Sequence, residues 1–163
     1  MFKLISAALV LCAGIIVSFE YTAEYRRKNK FTEGLISAFE YMRSEIIFEH
    51  KFLAKALKTA SLYGADAGQF LNGISDAMNN ETSAKEAFLI QQTEMDEKVF
   101  ETLSDYFEQA GMFDAVTEQN RINLLVERLK YSDSEQKQYI KNTVNQNRKI
   151  IIAFSVFICV FII

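Results

Sequence analysis

Two uninterrupted apolar runs bracket this chain, one from Leu4 to Phe19 (LISAALVLCAGIIVSF) and one from Ile150 to Ile163 (IIIAFSVFICVFII). Between them lies a polar stretch with helical periodicity, and the whole chain lacks proline. As helices the runs span about 24 Å and about 21 Å, short of the roughly 30 Å of a bilayer core. Lys3 and the aromatics Phe2, Phe19 and Tyr21 extend the first by interfacial anchoring, and local thinning or helix packing accommodates the second. The reading is an N-terminal anchor (1–19), a helical middle (20–149) and a C-terminal anchor (150–163). A cleaved signal peptide is the alternative for the first run, although no small-x-small cleavage site follows it cleanly. A buried core helix is the alternative for the second.

If both runs cross one bilayer, the middle leaves the membrane and returns to the same face. Arg26, Arg27, Lys28 and Lys30 follow the first run, and Lys137, Lys141, Arg148 and Lys149 precede the second, against Lys3 alone on the far side. That asymmetry puts the middle in the cytoplasm. Cys12 and Cys159 both sit in the apolar runs, which excludes a disulfide framework in the middle. A net charge of −3 is small and of the wrong sign for nucleic-acid binding.

The spacing Phe31, Leu35, Phe39, Met42, Ile46, Leu53, Leu57, Ala60 predicts an amphipathic helix, continuous from the first anchor to about Ser61. Gly64 reads as its stop and Asp66 as the N-cap of a second helix to Met78 that carries Phe70, Leu71 and Ile74. Asn79-Asn80 ends that helix. Ser83-x-x-Glu86 is a capping box, and Thr93-x-x-Asp96 a looser one that starts a helix over about 94–110 with Met95, Val99, Leu103, Tyr106 and Phe107. Gly111 ends it, and Asp114 caps a last helix with Ile122, Leu125, Val126, Leu129, Tyr139, Ile140 and Val144. The apolar-free stretch 132–138 reads as an exposed stalk within that helix, with a break capped by Ser132 as the alternative. The fold class is all-α: an antiparallel helical bundle with N- and C-terminal transmembrane helices.

Chemistry is sparse. There is no glycine-rich phosphate loop and no nucleophile elbow. The single histidine, His50, cannot supply the paired Glu-x-x-His motifs of a di-metal bundle. Glu45 with Glu49 and Glu94 with Glu97 read as solvated faces. The chain is read as no enzyme, with no catalytic residue, cofactor or metal. The 14 Phe and seven Tyr point mostly to core, with Tyr41, Phe48, Phe52 and Phe113 as candidates for an exposed patch.

The stretch Glu45-Ile-Ile-Phe-Glu-His-Lys-Phe-Leu-Ala-Lys-Ala-Leu57 resembles the Glu-Ile-x-Tyr-x-x-Thr-Pro-Leu-x-Glu-Ala-Leu pattern of the stage III sporulation protein AB family. Ala110-Gly-Met-Phe-Asp114 resembles that family's Leu-Gly-x-x-Asp. Lys51 and Phe52 replace Thr-Pro, Lys55 replaces an acidic residue, Ala110 replaces Leu, and Glu118 stands about where the family has Gln, with Gln119 one place later. The resemblance covers the whole chain. It implies a membrane component of the channel apparatus between mother cell and forespore, in the mother-cell membrane facing the forespore. Its soluble domain is similar to the cytoplasmic domain of the type II secretion platform protein. The implied partners are a secretion-type ATPase, stage III sporulation protein AA, and the other channel subunits of the same operon, with room for a homo-oligomer. Interface or structural-motif candidates are Glu45, Ile46, His50, Phe52, Gly111 and Asp114. Glu45 reads as an intrabundle ion pair or an interface contact. The competing function is a helical membrane sensor or signal-transducing protein.

Overall fold

The computed structural model of the protein describes the backbone of residues 2–49, 53–91 and 93–162, and side chains of 9–44, 53–91 and 93–161. Among the described residues all regular structure is helical: α1 (Phe2–Glu49), α2 (Leu53–Ser61), a 3-10 turn (Ala65–Ala67), α3 (Gly68–Asn79), α4 (Ala84–Ile90), α5 (Glu97–Phe107), α6 (Ala115–Tyr139), a π-turn (Ile140–Val144) and α7 (Asn145–Ile162). The chain divides into two units, Lys28–Ser134 and Met1–Arg27 with Glu135–Ile163.

The 28–134 unit is built on the stripe of α1 that the sequence predicts. Phe31, Leu35, Ala38, Phe39 and Met42 are buried with Leu57 and Ala60 of α2, Phe70, Leu71 and Ile74 of α3, and Ile122, Leu125, Val126 and Leu129 of α6. Ring contacts join the elements. Phe31 meets Phe70 edge-on at 5.5 Å, Phe39 meets Tyr106 at 5.6 Å, and Phe88 stacks on Phe107 at 5.2 Å. Much of the aromatic surplus is therefore core, where such pairs add to area burial. Asn29 donates to Asp133 Oδ1 at 2.6 Å, Lys130 pairs with Glu40, and Arg43 donates to Asn123 at 3.2 Å. Ascending numbers on α1 meet descending numbers on α6, so the two run antiparallel within this unit.

Several of these readings differ in the structure. The first helix does not run to Ser61: α1 ends at Glu49 and α2 starts at Leu53. α2 doubles back along α1, for Tyr63 stacks on Tyr41 at 3.9 Å and a Cβ on Gly34 would run into the carbonyl oxygen of Gly64. Both arms bury one face, so the 3.6-residue spacing continues through the reversal and no proline or glycine marks it. Asp66 does not cap α3; it lies inside the 3-10 turn, and the capping position is Ala67. Helix α5 starts at Glu97 rather than 94, because Asp96 itself accepts from Lys98 N at 3.0 Å, and it ends at Phe107 rather than at Gly111. The stretch 132–138 continues the helix, yet Ser132 is buried and Asp133 engages Asn29, so it is only partly an exposed stalk.

Other signals hold. Ser83 and Glu86 form both halves of the capping box. Asn80 follows the last residue of α3 and its side chain donates to Asp76 O at 2.9 Å.

The α1–α2 reversal depends on the absence of a side chain at Gly34. Alanine in a helix interior normally adds roughly 0.5–1 kcal/mol over glycine. Here the Cβ meets backbone that cannot move aside cheaply, so Gly34→Ala is expected to lose about 1–3 kcal/mol. A denaturant titration of the detergent-solubilised chain decides the sign.

Candidate functional site

In the unit formed by 1–27 and 135–163, the usual distribution of side chains is inverted. Leu9, Ile15, Ile16, Val17 and Phe19 of α1, and Ile150, Phe154, Val156, Phe157, Val160 and Phe161 of α7, are all exposed. The buried positions are small or hydroxyl-bearing: Ser18, Thr22, Val144, Ser155 and Cys159. Gly14 faces Ser155 so closely that a Cβ would collide with its Oγ. Gly14, Ser18 and Thr22 recur every four residues and so share one face of α1. Small residues on such a face allow two helix backbones to approach, the mode by which helices pack in lipid. Thr22 and Ser155 donate to the carbonyls four residues back, Ser18 O at 3.0 Å and Ile151 O at 2.9 Å, which satisfies both hydroxyls without water. Among the described residues, one helical run, Ala115–Phe161, contains a stretch long and apolar enough to cross a membrane. The side chains of Leu4–Ala8, which complete the N-terminal run, lie outside the described residues.

Polar and aromatic contacts follow this seam. Asn147 donates to Tyr21 Oη at 3.3 Å, the Arg148 guanidinium lies 4.6 Å over the Phe19 ring, and Tyr25 contacts Tyr21 and Tyr139 at 5.4 and 5.6 Å. These are the residue types of an interfacial belt.

The π-turn sets the phase of this unit. At 3.6 residues per turn, the 16 positions from Tyr139 to Ser155 would put the two side chains about 160° apart. One extra residue taken up by the π-turn brings them to about 60°, so that Tyr139 reaches Tyr25 while Ser155 reaches Gly14. Deleting Asn142 removes that extra residue, and 15 positions of regular helix again give about 60°, so the deletion is expected to keep the Ser155 face on α1, whereas inserting one alanine after Asn142 should turn that face by about 100°. In a background free of Cys12 and Cys159, a short bifunctional thiol reagent should link Phe19→Cys to Arg148→Cys; the deletion should leave that yield unchanged, and the insertion should reduce it several-fold.

Of the residues singled out from the sequence, Glu45 and Ile46 lie on the last turns of α1 with side chains outside the described residues, and His50 and Phe52 lie outside them entirely. Gly111 and Asp114 occupy the α5–α6 connection. Gly111 has φ +77°, a left-handed conformation that only glycine adopts freely, and a Cβ there would come within 3.2 Å of Leu53 Cδ2. The two stretches on which the family resemblance rests thus meet at Leu53 and Gly111. Asp114 accepts from Val116 N at 3.0 Å and Thr117 N at 3.1 Å, and Thr117 Oγ1 donates to its other oxygen at 2.7 Å. The Thr117 side-chain bond, then its backbone bond, hold the Asp114 carboxyl below its ordinary value. Phe113 is partly exposed and carries the Arg121 guanidinium at 4.9 Å. Tyr41 is half-buried under Tyr63.

The model of the family described as stage III sporulation protein AB matches residues 3–163. The chain belongs to that family. Neither the curated proteins nor the solved structures give a match to it. Membership ties this chain to stage III of sporulation.

Beside the family's Asp114 lies a cluster that the sequence reading missed. Glu118 is buried on α6, and Tyr106 Oη donates to its Oε1 at 2.7 Å, while its Oε2 is buried without a hydrogen-bond partner. Burial first, then the adjacent Glu118 charge and hydrogen bond, push the Tyr106 hydroxyl well above its ordinary value, so it stays a donor. Arg121 closes the cluster, donating to the carbonyls of Tyr106 at 2.9 Å and Gln109 at 3.1 Å. The available signal was Glu118 falling four residues before Ile122, in register with the apolar stripe. Tyr106→Phe leaves both carboxylate oxygens buried and unpaired and is expected to lose about 1–3 kcal/mol. Glu118→Gln keeps an acceptor for Tyr106 and removes the buried charge, so it should lose less or gain stability. Denaturation midpoints of the two variants give the order.

Proposed function

We propose that this member of the stage III sporulation protein AB family is a non-enzymatic membrane platform. Two helical anchors, 1–19 and 150–163, hold a cytoplasmic helical bundle that links a secretion-type ATPase to the membrane subunits of the sporulation channel. The observation that carries the membrane part is the inverted unit. Large apolar side chains face outward around a seam of Gly14, Ser18, Thr22 and Ser155, an arrangement costly in water and favourable in lipid. The basic residues flanking both runs orient the bundle toward the cytoplasm. The absence of catalytic motifs from the sequence and the family's tie to stage III of sporulation support a scaffold in the mother-cell membrane. By family resemblance, the ATPase is stage III sporulation protein AA, and the bundle is like that of the type II secretion platform protein.

Lys55 is exposed on α2 and reports the topology. In a chain without Cys12 and Cys159, Lys55→Cys should react with a membrane-impermeant maleimide only after the cells are opened. Labelling in intact cells overturns the orientation. Recovery of stage III sporulation protein AA with the full chain from sporulating cells tests the partner, and its absence from a complex that retains the channel subunits rejects the linking role.

A further inference from the structure

The corner between α4 and α5 holds a groove of about 220 Å³ lined by Phe88, Leu89, Gln91, Thr93, Met95 and Phe100. Its floor is firm, for Phe88 is buried, stacked on Phe107 and 5.4 Å from Phe100. Its walls are not covered: Leu89 is 48% exposed and Phe100 43%, with Ile90 beside them at 64%. Residues 86–101 carry five carboxylates, Glu86, Glu94, Asp96, Glu97 and Glu101, against the single base Lys98. Lys85, next in sequence, is engaged with Glu108 at 2.8 Å. Glu86 stands one turn before Leu89 and Ile90, and Glu97 one turn before Phe100, so on both helices a carboxylate neighbours the exposed apolar side chains.

We propose that this groove docks a cationic amphipathic helix of a partner protein, with one apolar side chain seated between Leu89 and Phe100 and its Lys or Arg residues set against the carboxylates. This deepens the platform reading and rests on it. Charge selects the occupant. An anionic lipid surface or a nucleic acid is repelled by the five carboxylates. A second copy of the 28–134 unit is repelled as well, because it carries 18 Asp and Glu against 11 Lys and Arg.

The test uses the full chain in zwitterionic lipid nanodiscs and, as probe, a fluorescent synthetic peptide of leucine and lysine patterned as an amphipathic helix. Saturable binding that weakens with added salt is expected, as is about a tenfold loss both in Leu89→Gln and in the double variant Glu97→Gln, Glu101→Gln. The carboxylates are exposed, so the double variant retains the fold, checked by its helical melting curve, and it decides the outcome if Leu89→Gln unfolds. Unchanged binding in the double variant overturns the proposal. So does equal binding of a scrambled peptide of the same composition, or of the leucine and glutamate counterpart. Any of these results leaves the labelling and co-purification outcomes intact, so loss of the groove and loss of the platform are separable.

Discussion

Exclusion from water works in opposite directions along α1. Between Phe31 and Met42 its inward face is large and apolar, and burial of that face against α2, α3, α5 and α6 supplies the hydrophobic stabilisation of the 28–134 unit. Between Gly14 and Thr22 its inward face is small and the large apolar side chains point out. In the lipid setting proposed above, that inner seam contributes close packing and the internally satisfied hydroxyls of Thr22 and Ser155. The helix therefore carries, in its own sequence, two opposite distributions of large and small side chains that the rest of the chain must accommodate. Each segment that returns to it does so on matching terms, Ser155 and Cys159 in one unit and Ile122 to Leu129 in the other.

What could be read from the sequence were the local devices. The capping box at Ser83 and the cap at Asp114 each depend on residues within three or four positions, and each stands where its chemistry indicated, whereas Gly111 makes its left-handed turn in the connection and does not end α5. The core stripe on α1 was legible for the same reason. Devices that depend on distant chain were not. The reversal between α1 and α2 rests on Gly34 meeting Gly64, two residues thirty positions apart, and nothing local distinguishes Gly34 from a neutral helix position. The choice between Thr93 and Asp96 as cap fails because both side chains can accept, and the structure uses the carboxylate. The π-turn is invisible to a 3.6-residue template by construction; it shows only as a face that slips between Tyr139 and Ser155.

Glu118 is the instructive case at the candidate site. A carboxylate in register with Ile122, Leu125 and Leu129 breaks the pattern of an apolar stripe, and such breaks are where sequence reasoning should pause. One of its oxygens is bound by the buried Tyr106 hydroxyl and the other is buried without a hydrogen-bond partner. A glutamine, which the family pattern places about here, would meet Tyr106 equally well. The cluster joins the cap at Asp114, the turn at Gly111 and the end of α5 through Arg121, which binds carbonyls of Tyr106 and Gln109. In this chain the short motif at Gly111 and Asp114 lies at a joint between two helices.

Charge is divided as unevenly as hydrophobicity. The 28–134 unit carries a net −7, with 18 acidic against 11 basic residues, while the remainder carries seven basic against three acidic, a net +4. A positive segment beside a membrane gains from anionic headgroups, and a negative domain is repelled by the same surface. Within the acidic unit, the exposed apolar corner at Leu89 and Phe100 is matched in charge to cationic protein partners and poorly matched to anionic phospholipid. The sign of that division, more than any single side chain, sets what can approach the α4–α5 corner.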